Sequence, residues 1–479
     1  MAARVDPESN SEQNDSSPNT VVVGAGAAGT ALARAWAAAG PRTGHLTLID
    51  SRADPVELPP LSKSLFDPEA EPARLWPADR PGGLADGAQD GAPRVRRRTG
   101  TVTRIDESVP EPALPGAAPD RPAAGAIHLD DGTTVTYDVL VLATGMRPRP
   151  VPAALDGVRA LRIFDADSAL AARAALGLGP GHVAPVRDIG VLGSGYLALE
   201  MARAAAEAGA HPTVHLRGQL PVTSLSTPMR LALCELHSAA GVAFAAHDPA
   251  PAAGAHALWL VATGAVPALP PGLPDEWQRT PQGHLLVDRR LRVAGAGGEV
   301  YAIGDIARLI DDAEPAYGSE SLANGQGAWL GTRLAERAQP AGTAAVWCEL
   351  GWHWSFQGPL RLFTVGEPGG TAETAAVPIV LGDLGSGDGQ VLLFGGADPH
   401  APLTGVETLG APAAHNAAKK ALALAGDERI TRAEAAADGF ELKKALKARK
   451  SDRMRKPGLS EGTHIRPTDH VEQRHNPGA

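Results

Sequence analysis

One plan occurs twice in this chain, and that repeat limits what it can fold into. At Thr20 the apolar run TVVV enters GAGAAG and then the Ala-rich TALARAWAAAG, which reads as a strand, a glycine turn and a good helix former. In that order Gly24 permits the tight turn, Gly26 lets a pyrophosphate approach the backbone, and Gly29 lets the helix pack on the strand. Phosphates would then sit at the positive helix N-terminus. A second strand, HLTLID, ends at Asp50, 26 residues after Gly24, where an acid can accept hydrogen bonds from a ribose. The segment DIGVLGSGYLALEMARAAAEAG, from 188 to 209, repeats strand, turn (Gly193, Gly195) and helix. Each copy has a later counterpart strand ending in Ala-Thr-Gly, VLVLATGMRP at 139 to 148 and LWLVATGAVP at 258 to 267. The spacing is 119 residues from Gly24 to Ala143 and 69 from Gly193 to Ala262, so the second copy is the compact one. The expectation is an α/β chain with two Rossmann-like dinucleotide-binding domains.

The 479 residues suffice for about three domains. From about 344 the pattern turns strand-rich and aromatic, then helical, and predicts a small C-terminal α+β domain. The expected partition is a disordered leader at 1–19, a discontinuous first domain at 20–153 and 285–340, a second domain at 154–284, a third at 341–448 and a basic, disordered tail at 449–479. From Glu441 onward ten Lys/Arg face five Asp/Glu. Pro110 to Ala126, rich in Pro and Ala, reads as a loop insertion. A net charge of −10 leaves no broad footprint for nucleic acid or an anionic membrane. The two cysteines, Cys234 and Cys348, form neither a disulfide framework nor a metal ribbon, and no metal is expected. The polar start and the absence of about 20 uninterrupted apolar residues read as cytoplasmic.

Beyond the glycine turns, PVELPPLSK at 55–63, YDVLVLATG, GSGYLALE, YAIGD and WSFQGPLRLFTVG come in a set order. With them the chain resembles the two-dinucleotide flavoprotein reductases. Within that group it is most similar to the ferredoxin and rubredoxin reductases of bacterial oxygenases and P450s and to apoptosis-inducing-factor-like proteins. The resemblance implies FAD in the first domain, with Gly24, Gly26 and Gly29 on the pyrophosphate and Asp50 on the adenosine ribose. Lys63 would lie beside the isoalloxazine with Val102, Thr144, Gly145 and Arg147 on the same ligand, and Asp305 of YAIGD on the ribityl chain. NADPH or NADH would occupy the second domain, against Gly193, Gly195, Tyr196, Leu197 and Glu200, with Arg217, Thr263 and Gly264 completing that side. Cys234 comes long after the first helix, which excludes thiol exchange through an internal disulfide. Three positions depart from the family pattern: Leu58 for an Arg before Pro-Pro, Phe356 for the acid after Trp354-Ser355, and Leu322 for a Trp.

Those residues set three expectations about the reaction. Lys63 and Glu200 form an ion pair beside the flavin, as catalytic groups. Trp352, Trp354 and Phe356 share one strand face by their period of two, with Trp354 at the electron exit. The strand PTVHLRG ends in His215, Leu216 and Arg217 with no acid, and an arginine there can pair a 2′-phosphate, which favours NADPH. The implied enzyme moves electrons from NAD(P)H through FAD to a ferredoxin-type acceptor, as a monomer or homodimer. The alternative is a flavoenzyme that reduces a small molecule or O2 directly, and a non-enzymatic FAD scaffold is disfavoured by the intact Lys63, Glu200 and Asp305.

Overall fold

Val21, Val22 and Val23 are buried on both faces, as a near-continuous apolar strand must be when helices cover a parallel sheet from both sides. The computed structural model describes residues 18–39, 45–63, 71–75, 94–107, 125–178, 185–246, 253–311, 318–336, 346–369 and 378–455. The first domain opens with β1 (Thr20–Val23), α1 (Ala27–Ala38), β2 (His45–Asp50) and β3 (Arg94–Thr99). An antiparallel flap follows, β4 (Val102–Glu107), β5 (Gly125–Leu129) and β6 (Thr134–Tyr137), and then β7 (Val139–Leu142) and β8 (Met146–Pro148). The expected insertion lies, but for its last two residues, outside the described residues, as does the leader to residue 17.

The second domain runs through β9 (Ala160–Leu161), α2 (Ala166–Ala175), β10 (Asp188–Leu192), α3 (Tyr196–Glu207), β11 (His211–Leu216), α4 (Thr227–Ala239), β12 (Ala243–Ala246), β13 (Leu258–Val261) and β14 (Ala265–Pro267). Its parallel sheet has the order β12-β11-β10-β13-β9, and β14 pairs antiparallel with β8, so the two crossings between domains run side by side. The chain then returns through β15 (Leu285–Val287), β16 (Glu299–Ala302), β17 (Ala307–Leu309) and α5 (Glu320–Ala335). β16 completes the first sheet in the order β16-β7-β1-β2-β3. The return precedes the expected residue 285: Trp277 is buried in the first core and its Nε1 donates to Glu107 Oε2 at 3.1 Å. Helices α1 and α5 touch backbone to backbone, since a Cβ at Gly327 would lie 2.2 Å from the Ala28 carbonyl oxygen.

The third domain is a five-stranded antiparallel sheet of β18 (Trp352–Gln357), β19 (Leu360–Gly366), β20 (Ile379–Asp383), β21 (Asp388–Phe394) and β22 (Leu403–Leu409), in the order β18-β19-β22-β21-β20. Helices α6 (Pro412–Leu422), α7 (Arg432–Ala435) and α8 (Leu442–Arg455) follow. The basic tail expected to be disordered from 449 instead begins as the last turns of α8. Arg449 holds it there, donating to both Glu434 carboxylate oxygens at 2.8 and 2.6 Å and to the Glu428 carbonyl at 2.6 Å. Residues 456–479 lie outside the described residues. Among the described residues no helix is long and apolar enough to cross a membrane.

Candidate active site

The two glycine turns are built alike. Gly24 has φ +106°, and a Cβ there would lie 2.3 Å from the Ala143 carbonyl oxygen; Gly193 has φ +143°, with the Ala262 carbonyl oxygen at the same 2.3 Å. Each first glycine therefore packs on the Ala of an Ala-Thr-Gly segment, which is why the two motifs recur together. Gly29 lies against the turn itself, its missing Cβ 1.9 Å from the Gly24 carbonyl oxygen. At Gly26 and Gly195, the residues preceding α1 and α3, nothing lies within 4 Å of that position, so both backbones are open to a ligand.

One cavity of about 910 Å³ joins the turns. Gly24, Gly26, Asp50, Val102, Thr144, Gly145 and Asp305 line its first-domain part. Asp50 ends β2 with Oδ2 accepting the Ala25 amide at 2.7 Å and Oδ1 accepting the Arg52 amide at 2.8 Å. Asp305 follows Gly304, whose amide donates to Gln326 Oε1 at 2.7 Å, and burial pushes its carboxyl above the usual range. Thr144 Oγ1 is buried with no hydrogen-bond partner. An open glycine backbone, a ribose-height acid and a buried hydroxyl without a partner fit a dinucleotide here.

Gly195, Tyr196, Leu197, Glu200 and Gly264 line the second-domain part. Five expected residues are not on the wall: Gly29 and Gly193, which pack within the two turns, and Arg147, Thr263 and Arg217. Met146 and Pro148 face the cavity, so on the alternating strand β8 Arg147 points away and is exposed. Thr263 is off the wall, and Arg217, just past β11, is exposed.

The inner wall is where all three domains meet. Pro59–Ser62 forms a 3-10 turn whose Leu61 is buried in the core of the second domain, and this anchors Lys63. Lys63 Nζ lies 3.1 Å from Glu200 Oε2, with the two side chains 9% and 4% exposed. It also stands 4.8 Å from the centre of the Trp354 ring. Glu200 takes three further donors: Ser62 Oγ at 2.5 Å, Ser355 Oγ at 2.5 Å and the Phe356 amide at 3.1 Å. Trp354 and Phe356 pack at 4.9 Å, and the Arg361 guanidinium lies 3.5 Å from the Phe356 ring centre. Trp352 departs from this group. It packs against His415 at 5.1 Å and belongs to the third-domain core, so the expected aromatic face divides between site and core. The opposite face of β18 holds Ser355 and Gln357, each 1% exposed. Neither they nor Ser62 stood out in the sequence, although the alternation within WSFQ places Ser355 and Gln357 on one side.

Electrostatics at this wall follow from burial. His353, 4.5 Å from the Tyr196 ring, is pushed down to about 4 by burial and by Lys63. Glu320, at the start of α5, is pushed up to about 7 by burial and by Glu57, with Lys63 opposing. Of the departures, Leu58 is exposed on the rim, and Leu322 packs against the first core. The cysteines are free, and neither lines the cavity. Two glycine turns facing one cavity, with a lysine-carboxylate pair between them, fit an oxidoreductase with room for two dinucleotides.

Comparison with known proteins narrows the class. Residues 18–250 match the model of the family described as pyridine nucleotide-disulphide oxidoreductase. Rhodocoxin reductase of Rhodococcus erythropolis is 29% identical over 89% of this chain and 94% of its own. Putidaredoxin reductase of Pseudomonas putida is 33% identical over 47% of this chain and 48% of its own. Among solved structures, the ferredoxin reductase for the CYP199A2 system from Rhodopseudomonas palustris has a TM-score of 0.69 at 23% identity, over 89% of this chain and 99% of that one. Residues 18–250 thus carry a pyridine nucleotide-disulphide oxidoreductase domain, and over most of its length the chain is similar to ferredoxin reductases.

Proposed function

We propose that this enzyme takes hydride from NAD(P)H onto FAD and passes the electrons to a ferredoxin-type iron-sulfur protein serving an oxygenase or P450. The observation that carries this reading is the meeting of Lys63, Glu200 and Trp354, from three domains, on the wall between the two glycine turns. FAD, when bound, supplies the step between a two-electron donor and one-electron acceptors. Gly24, Gly26, Asp50, Thr144 and Asp305 would hold it, and Gly195, Tyr196 and Gly264 would receive the nicotinamide coenzyme. Lys63 sets a fixed ammonium where negative charge develops on reduction, and a donor aimed in advance at such charge is a large catalytic effect. Glu200 keeps that ammonium charged and oriented. Trp354 covers the wall, excludes water and faces the acceptor side. The names of the relatives support a ferredoxin acceptor: besides the two above, the reductase component of an anthranilate 1,2-dioxygenase system from Burkholderia cepacia is 34% identical over 40% of this chain. A reducing cytoplasm, which supplies NAD(P)H, is the compartment that this reading implies.

Stopped-flow reduction and reoxidation test the reading. Reduced enzyme should be reoxidised by a ferredoxin much faster than by O2, and Trp354→Ala should slow that step while leaving flavin reduction nearly intact. Reoxidation by O2 or a small acceptor that outruns every ferredoxin would point to direct reduction of that acceptor instead.

A further inference from the structure

The bonds at Glu200 do not stop at its own four donors. Beyond Ser355, Gln357 Nε2 donates to Ser355 Oγ at 2.7 Å, and Gln357 Oε1 lies 2.8 Å from His237 Nε2 on α4. Glu200, Ser355, Gln357 and His237 are all 5% exposed or less. Their chemistry fixes the direction of the chain. An ionised carboxylate only accepts, so Ser355 gives its proton to Glu200 and must itself accept from the Gln357 amide. That turns the Gln357 carbonyl toward His237, whose Nε2 must then carry the hydrogen. His237 Nδ1 is left buried without a partner, a destabilising arrangement that calls for a compensating role. Every donor thus points one way, from the second domain through the third to the carboxylate beside Lys63.

We propose that His237 and Gln357 are positioning residues: their directional hydrogen-bond chain holds Glu200 ionised and aimed at Lys63. The inference rests on the reading of Lys63 given above. Burial pushes His237 down to about 4, so the imidazole stays neutral and the chain keeps one polarity through the working pH range. Other charges bear on it from the packed elements: Lys63 from the 3-10 turn, His353 on β18 and Glu320 on α5 through Lys63, and Arg203 on α3 against His237. None of these donates to Glu200 Oε1, whose partners are Ser355 and Phe356.

The test reverses the chain without changing its shape. In Gln357→Glu a carboxylate accepts from both neighbours and draws the Ser355 proton away from Glu200. His237→Phe removes the terminal donor, and His237→Gln restores an N–H at that end. Two readouts apply to the FAD-loaded protein: single-turnover flavin reduction by NAD(P)H from about pH 6 to about pH 8, and carboxyl titration by NMR of 13C-glutamate-labelled protein, with Glu200→Gln as assignment. Expected is an upward shift of the Glu200 titration in Gln357→Glu and His237→Phe. Flavin reduction should slow by about fivefold, the size of one lost hydrogen bond, most at the acid end, with coenzyme affinity unchanged. His237→Gln should stay close to wild type. Titration curves and pH profiles that coincide with wild type in Gln357→Glu would overturn the proposal. Should that variant fail to fold, identical curves for His237→Phe and His237→Gln would overturn it instead. If Lys63→Met leaves flavin reduction unchanged while the Glu200 titration still shifts, the role of Lys63 fails and the chain stands.

Discussion

The two glycine turns share a backbone and part company at the strands beside them. At the first, β2 ends in Asp50, already fixed by the Ala25 and Arg52 amides, and the returning chain closes over the ligand space with Asp305 and α5. At the second, β11 ends in His215 and buried Leu216 with exposed Arg217 just beyond it, and His215 is turned to His256 at 2.9 Å, which in turn bonds Asp188 at 2.7 Å. One turn has an acid at ribose height and a cover from a later part of the chain; the other has an exposed cation and, among the described residues, no such return. On the function proposed above, the same turn would hold an enclosed, retained ligand at one end and an exchanging one at the other.

Substitution at the open glycines breaks this comparison most sharply. Gly26→Leu should yield protein with less than about a tenth of its FAD, since a side chain would fill the pyrophosphate approach. Gly195→Leu should stay yellow and raise the KM for coenzyme by about tenfold or more. Visible absorbance per chain and steady-state kinetics check both, and equal FAD loss in the two variants would end the distinction.

Between the turns, Lys63→Met should keep FAD bound and slow flavin reduction by about 10²-fold, the scale of removing one fixed charge from a developing anion. Rapid-mixing absorbance measures it.

Glu320 sharpens the enclosed side. Its carboxyl titrates near 7 when folded against about 4.5 when unfolded, so the folded state holds the extra proton between those values. The stabilisation is therefore full below about 4.5 and is lost as pH rises toward 7. Glu320→Gln should match wild type in Tm at low pH and exceed it by about 1 to 3 °C above neutrality. Glu407, also pushed up to about 7 by burial while two Ser226 donors oppose, adds a background slope of the same sign, and only the difference between variants is read.

The smallest expected effect concerns the open side. Arg217→Ala should raise the KM for NADPH about threefold to tenfold more than that for NADH, because an exposed arginine pairs a 2′-phosphate in water. A preference for NADH unchanged by the substitution would remove Arg217 from coenzyme choice.

Much of the first domain was legible because its signals are local. Gly24, Gly26, Gly29 and Asp50 act through backbone space and strand ends, and such properties follow from a few neighbouring residues. Lys63 and Glu200 were readable only through the likeness to a family, since 137 positions separate them and neither segment alone points to the other. Arg147 and Trp352 show where pattern misleads. A one-residue step along β8 turns Arg147 from the cavity, and on β18 the shared aromatic face is split between two surroundings, which periodicity cannot distinguish.

By itself the sequence determined the two dinucleotide turns, the order of strands and helices around them, and the set of chemical groups the chain can offer. Only the tertiary structure decided that Ser62, Ser355 and the Phe356 amide join Lys63 on one carboxylate, and that Gln357 and His237 stand behind them. The reason is geometric: a buried carboxylate needs several donors at once, and three separate domains must close on it before those donors lie within hydrogen-bonding distance.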